Sequence, residues 1–244
     1  MRVQSQPAFL LHARPFRETS LIIEVFTRQY GRAGLLARGV RNPKSRKRAL
    51  VMPFQSLLLG WSGKGELPLL TGIEASGCAR ELTSEQRYAA FYLNELLLKL
   101  LHRHDAHENL FDFYSKSLDE IYQGVPIQHA LRRFEKELLS QSGYGLILHH
   151  EAGSSRPVVA EARYQYVPEQ GPRPLSQSVQ EYHPEVQSIF IKGKSLLDFY
   201  HNDFNDKDSL KECRQLTRYL LDRQLSGKPL HSRRVFHQVL SGLG

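Results

Sequence analysis

The sequence predicts an α+β protein: a small five-stranded β-barrel, then an α-helical part broken by an irregular insertion. Three observations carry this. Five short apolar runs, partly alternating and bounded by turn residues, crowd residues 7–75. From Thr83 onward the apolar spacing lengthens from two to three and four. Prolines then gather, with Pro157, Pro168, Pro172, Pro174 and Pro184 all between positions 149 and 190.

The five runs are PAFLLHARPF, TSLIIEVFT, GRAGLLARGV, FQSLLLGWSG and ELPLLTGIEA. Strands this short suit a closed barrel. The OB-fold is the commonest five-stranded one, and an SH3-like barrel is the alternative. Thr83 and Gln86 have the spacing of a capping box, so a helix opens there, with Tyr88, Phe91, Tyr92, Leu96 and their neighbours as its apolar face. A second helix is expected over 108–123 and ends at Gly124. A third opens at Pro126, with Ala130, Leu131, Phe134, Leu138 and Leu139 facing the core. Short hairpin strands are expected near 158–167 and 173–179. Helices resume at 195–200, at 208–224 and, after Gly227 and Pro229, through Leu240. The expected domains are a barrel over 1–80, a helical domain over 81–148 and 191–244, and the insertion over 149–190.

Charge is distributed unevenly. The chain is +8 overall; residues 1–80 carry +9 and residues 81–244 carry −1. Such asymmetry suggests two modules with different partners. The stretch GRAGLLARGVRNPKSRKRALVMPF, residues 31–54, concentrates Arg38, Arg41, Lys44, Arg46, Lys47 and Arg48 between two strands without one acid. A merely solubilising loop carries mixed signs. A one-signed loop, with Arg14, Arg17, Arg28 and Arg32 in the same module, points to a polyanion. Nearby aromatics (Phe9, Phe16, Phe26, Tyr30, Phe54, Trp61) are candidates for stacking on bases, although for any single ring the barrel core is the expected place.

Other chemistries find little support. No phosphate-binding glycine loop and no nucleophile elbow occur. The acids of the first 80 residues, Glu18, Glu24, Glu66 and Glu74, are too scattered for a two-metal nuclease. His102, His104 and His107, and the pair His149–His150, read as solvated histidines rather than metal ligands. Asp203 and Asn205 lack the glycine and acids of a calcium loop, and capping by Asp206 or Asp208 explains them better. Neither Cys78 nor Cys213 sits in a CxxC pair, so no zinc site or disulfide framework is indicated. No membrane span, signal peptide or cofactor site is expected, and the compartment reads as cytoplasm.

The residues also carry a resemblance. The run AFLLHARPFRETSLIIEVFTRQYGRAGLLARGVRNPKSRKRALVMPFQSLLL closely resembles the N-terminal module of the RecO family of bacterial DNA repair proteins. Its marks are Arg14 with Glu18-Thr19-Ser20, Phe26-Thr27, Gly31-Arg32, the block from Arg38 to Arg41, and Pro53-Phe54. Further on, Tyr92 with Asn94-Glu95-Leu96-Leu97, Leu131-Arg132-Arg133-Phe134-Glu135, Gly143-Tyr144-Gly145 and Gly227-Lys228-Pro229-Leu230 with Ser232-Arg233 are similar to the same family. The resemblance implies an N-terminal OB-fold, a helical domain with a zinc-finger-like insertion, and no catalysis. It implies a nucleoid-associated recombination mediator. Such a protein binds single- and double-stranded DNA, anneals strands coated by single-stranded DNA-binding protein (SSB), and works with RecR to help load RecA. Some members hold zinc through four cysteines in the insertion; here HHEAGSSRPV has none, so the insertion lacks zinc ligands. The alternative for the basic barrel alone is an RNA-binding or ribosome-associated OB protein.

DNA contact is therefore expected from Arg14, Arg17, Arg32, Arg38, Arg41, Lys44, Arg46, Lys47 and Arg48. The SSB C-terminal tail is acidic and ends in an apolar residue, so its receptor needs an apolar pocket rimmed by cations. Arg132, Arg133 and Leu138 on the third helix are candidates, and in the resemblance Arg132 and Lys211 fall at family tail-site positions. The competing expectation is that Arg132 and Arg133 pair with Glu135 or Glu137.

Overall fold

The computed structural model describes residues 2–77, 81–143, 145–175 and 189–233. Tyr144, the expected strand residues 176–179 and the expected last helix beyond residue 233 lie outside them. β1 (Arg2–Phe16), β2 (Ser20–Thr27), β3 (Gly31–Ala37), β4 (Ser56–Ser62) and β5 (Leu69–Ala75) form a closed barrel in the order β1-β2-β3-β5-β4. That is OB-fold topology, so the SH3-like alternative falls away. β1 is long enough to pair with both β2 and β4, and irregularities at Val3/Gln6 and Leu10/His12 let it bend between them. One parallel pairing, Leu36 with Leu69, closes the ring.

The period-two alternation fills the barrel. Ala8, Leu10, Ile23, Val25, Ala33, Leu35, Leu57, Leu59 and Trp61 belong to one buried cluster. The outer faces of β1 and β2 are apolar too: Phe9 and Phe26 are register partners and both are buried. α1 (Ser84–Leu100) and α2 (Glu108–Tyr122) cover them. Phe9 and Phe26 meet Phe111 at ring-centroid distances of 5.3 and 5.4 Å, and Tyr114 packs against both. These two helices therefore join the barrel in one compact unit, which runs to Ile127 and resumes at Leu230. The unit edge differs from the expected boundary at 80 because two strands are apolar on both faces.

Three polar devices fix α1 and α2 in place. Thr83 and Gln86 form the expected capping box. Buried Asn94 donates to the carbonyls of Leu11 (3.0 Å) and Leu10 (3.4 Å), where the β1 irregularity interrupts the ladder, and accepts from the Tyr114 hydroxyl. Glu95 accepts from the backbone N–H groups of His231 and Ser232 (2.8 Å each) and from the Ser232 hydroxyl (2.6 Å). Burial alone would raise the Glu95 pKa, but these donors and Lys99 outweigh it and hold the carboxyl below its ordinary value.

The second unit spans Gln128–Pro229. α3 begins just before it (Ile127–Gln141), and β6 (Arg163–Val167), β7 (Gly171–Pro174) and β8 (Ile189–Lys192) make a small antiparallel sheet in the order β7-β6-β8. α4 (Gly193–His201) and α5 (Lys207–Gln224) complete it. The insertion sheet has a third strand, β8, that its four residues were too short to announce. Its core joins Leu148, Tyr164, Tyr166, Ile191, Leu196, Phe199, Phe204, Cys213 and Leu216. Asp206 caps α5 through the N–H groups of Asp208 (2.9 Å) and Ser209 (3.0 Å), and these bonds with Lys194 lower its pKa to about 2. Gly193 has no room for a Cβ, which would lie 1.9 Å from the Val159 carbonyl oxygen. Among the described residues no helix is long and apolar enough to cross a membrane.

Candidate nucleic-acid interface

The barrel register decides which arginines meet. Phe16 pairs with Ser20, Arg14 with Ile22, and Leu21 with Ala37, so the β1–β2 hairpin and the exit of β3 lie at one end. The Arg41 backbone N–H donates to Thr19 O (2.8 Å), and its Nη1 to Arg17 O (3.1 Å), tying the basic loop to that hairpin. The loop is a chain of turns: Asn42 N–H to Gly39 O, Lys44 N–H to the Asn42 side chain, and Ser45 N–H to Asn42 O. A 3-10 turn follows over Arg46–Leu50.

Arg14, Arg17, Arg38, Arg41, Lys44, Arg46, Lys47 and Arg48 thus gather at one barrel end. All are exposed except half-buried Lys47, and among the described residues none is in an ion pair. Glu18 is the one acid of that hairpin tip. Like charges held together without counter-charges destabilise the free protein slightly and favour an anionic ligand.

Arg32 lies apart from the rest of the expected set. It is half-buried at the opposite end, where its guanidinium donates to the Leu98 carbonyl at the end of α1. Burial lowers its pKa, with Arg103 adding to the effect and Glu24 opposing it. That bond takes up one of the guanidinium's five N–H donors. Arg28, also at this end, reaches Glu108 and makes paired bonds with Asp112 (3.1 and 3.0 Å). Arg103 binds Glu24 and lies 3.6 Å from Glu66. Gly31, at positive φ, sits against the Asp105 carbonyl, where any Cβ would lie 1.9 Å from the oxygen.

The rings are mostly interior. Phe9, Phe26, Phe54 and Trp61 are buried, Phe54 against Phe91 and Trp61 against half-buried Tyr30. Only Phe16, half-buried under Arg17 at 5.3 Å, lies by the basic loop. The four barrel acids do not converge on an open site: Glu24 and Glu66 both face Arg103, Glu18 is on the hairpin and Glu74 is in the β4–β5 ladder. Among the described residues no group of three or more His, Cys, Asp and Glu is arranged to hold a metal ion.

In the second unit, α3 spends its cations internally. Arg132 is 4% exposed and bonds Glu135 at 2.6 Å, and Leu138 is fully buried. Neither presents a surface to a peptide, which corrects that expectation: the apolar face of α3 carries them inward. Arg133 is half-buried and partnered. Lys136 donates to the Phe199 and Tyr200 carbonyls and to Asn202, closing the C-terminal end of α4. Burial lowers its pKa. Lys211 stands exposed on α5. Sequence reasoning missed a groove of about 230 Å³ lined by Leu139, Leu146, Tyr166, Pro168 and Leu220, with Glu169, Arg223 and Gln224 alongside. Its walls come from three separate elements, so no local pattern could show it.

Residues 1–78 match the family model for the recombination protein O N terminal, and residues 84–234 the model for its C terminal. The chain belongs to the RecO family. It is 45% identical to the DNA repair protein RecO of Nitrosococcus oceani over 98% of this chain and 95% of that protein. Identity to RecO of Dechloromonas aromatica is 43%, over 98% and 97%, and to RecO of Aromatoleum aromaticum 42%, over 98% and 97%. Membership in the RecO family places the chain in DNA repair and recombination. The two RecO models meet near residue 80, whereas the compact units meet near Ile127, because α1 and α2 are C-terminal in sequence yet pack on the barrel.

Proposed function

We propose that this protein is a recombination mediator without catalytic activity. The basic barrel end binds the phosphates of single- and double-stranded DNA. By neutralising two strands at once it lowers their repulsion and lets complementary SSB-coated strands anneal. With RecR it assists RecA loading, in the nucleoid-bearing cytoplasm. The observation that carries the reading is the set of eight cations, none ion-paired among the described residues, on one end of an OB barrel in a RecO-family chain.

The acidic SSB tail is held by the second unit. Lys211 and Arg133 remain from the expected set, and Arg223 lines the mixed polar and apolar groove, which supplies the pairing of cation and pocket that such a tail needs. The deciding experiment is annealing of complementary strands with and without SSB. Annealing that is absent in both cases overturns the mediator reading. Lys211→Glu and Arg223→Glu are expected to weaken binding of an acidic, Phe-terminated peptide while leaving bare-DNA affinity intact. Equal loss of both activities would argue against separate sites.

A further inference from the structure

Beside the basic loop lies a groove of about 360 Å³ lined by Leu21, Val40, Arg41, Arg48, Val51 and Met52. That volume falls in the ~300–1,000 Å³ range of small-ligand clefts. Four of its six lining residues carry apolar side chains, but the surface it leaves open is more polar than apolar, so the apolar contact it offers comes chiefly from Met52. Val40 is buried in the barrel core, and Leu21 and Val51 pack half-buried against the same core. Met52 is 55% exposed. Arg41 and Arg48 flank the floor, and neither is in an ion pair among the described residues.

We propose that this groove seats one unpaired base of single-stranded DNA, between phosphates held by Arg41 and Arg48. The inference rests on the phosphate-binding reading of the same barrel end and adds to it a way to tell strands apart. Phe9, Phe26, Phe54 and Trp61 are buried and Phe16 is half-buried under Arg17, so base contact in this groove falls to the exposed thioether of Met52. A flexible thioether accepts any base face, which suits binding without sequence readout. A duplex keeps its bases stacked and paired, so it reaches only the cations. Both ligands therefore share the electrostatic part of the affinity, and a single strand adds an apolar part that salt does not screen. The favoured ligand is a nucleic-acid strand rather than an acidic peptide. Eight cations spread over the hairpin, the loop and the 3-10 turn match a repeating phosphate chain better than a few carboxylates.

The test uses the full-length protein, a labelled oligothymidylate and a hairpin duplex of matched phosphate number, titrated at ~50–200 mM salt. Met52→Ala is expected to weaken oligothymidylate binding about three- to tenfold. The slope of log K against log salt and the duplex affinity stay unchanged. Val51→Thr, close in shape but with a hydroxyl at a half-buried position, is expected to cost about twofold on the single strand alone, read on the folded fraction. Unchanged single-strand affinity in both variants, or equal loss on both ligands, overturns the groove. Loss of Phe-terminated acidic peptide binding in Met52→Ala, with DNA binding intact, assigns the groove to a protein tail and overturns it as well. Failure of the groove is separable from failure of the phosphate reading. If the loop charge reversal abolishes DNA binding while Met52→Ala does nothing, only the groove falls; if both are silent, both fall.

Discussion

The two ends of the barrel are built from the same residue type and put it to opposite uses. At the end formed by the β1–β2 hairpin and the basic loop, none of the eight cations is in an ion pair among the described residues. At the end formed by the β2–β3 turn, Arg28 meets Glu108 and Asp112, Arg103 meets Glu24 and Glu66, and Arg32 donates to the Leu98 carbonyl. Arginine at the second end joins barrel to helices. At the first it is left for a ligand. An arginine count alone cannot separate the two roles; the partner does.

The comparison predicts that each end can be broken without the other. The largest effect is expected from reversing Lys44, Arg46, Lys47 and Arg48 to Glu together. DNA affinity at ~100 mM salt should fall by a factor of about 100 or more, and the salt slope should flatten by about 3–4. The thermal midpoint should hold, since none of the four is in an ion pair among the described residues. Unchanged affinity, measured by anisotropy, removes this end from the interface.

On the packed side, Asn94→Leu should lower the unfolding free energy by about 3 kcal/mol in urea titrations, because it strands the Leu10 and Leu11 carbonyls and the Tyr114 hydroxyl in the interior. Arg103→Ala should cost about 1–2 kcal/mol by leaving Glu24, 16% exposed, without its cation. For both, DNA affinity of the folded fraction is expected to match the unaltered protein. A matching loss of DNA affinity would mean the two ends are coupled.

The smallest effect concerns pH. Glu95 has its folded pKa held below the unfolded value by Ser232 and His231. Its contribution to stability is therefore present above the unfolded pKa and is lost as pH falls through the folded one. Denaturation across the acid range, from about pH 6 to 3, should show a steeper loss in the unaltered protein than in Glu95→Gln. Parallel curves would rule out the clamp on the returning segment.

Much of the fold was legible. The five strands, the Thr83–Gln86 capping box and the ends of α2 and α5 follow from spacing and from cap chemistry, which are local. The basic loop was legible because its charges are contiguous. Arg32 sits in the same run of sequence as Arg38 and Arg41, but the strand carries it to the opposite end of the barrel, which spacing along the chain does not show. Spacing allows Arg132 either an exposed role or a pair with Glu135, and its burial with Glu135 follows from which face of α3 turns inward. The groove beside Leu139 draws its walls from separate elements, whereas the one beside the basic loop takes five of its six lining residues from 40–52 and needs only Leu21 from β2.

The sequence by itself determined the period, the breaks and the one-signed loop, because these depend on neighbours within a few residues. Tertiary structure decided which cations are spent and which are left. Arg28 finds Asp112 84 positions away and Arg103 finds Glu24 79 positions away. Electrostatic pairing needs atoms within a few ångströms, and only the closed barrel with its covering helices sets those distances.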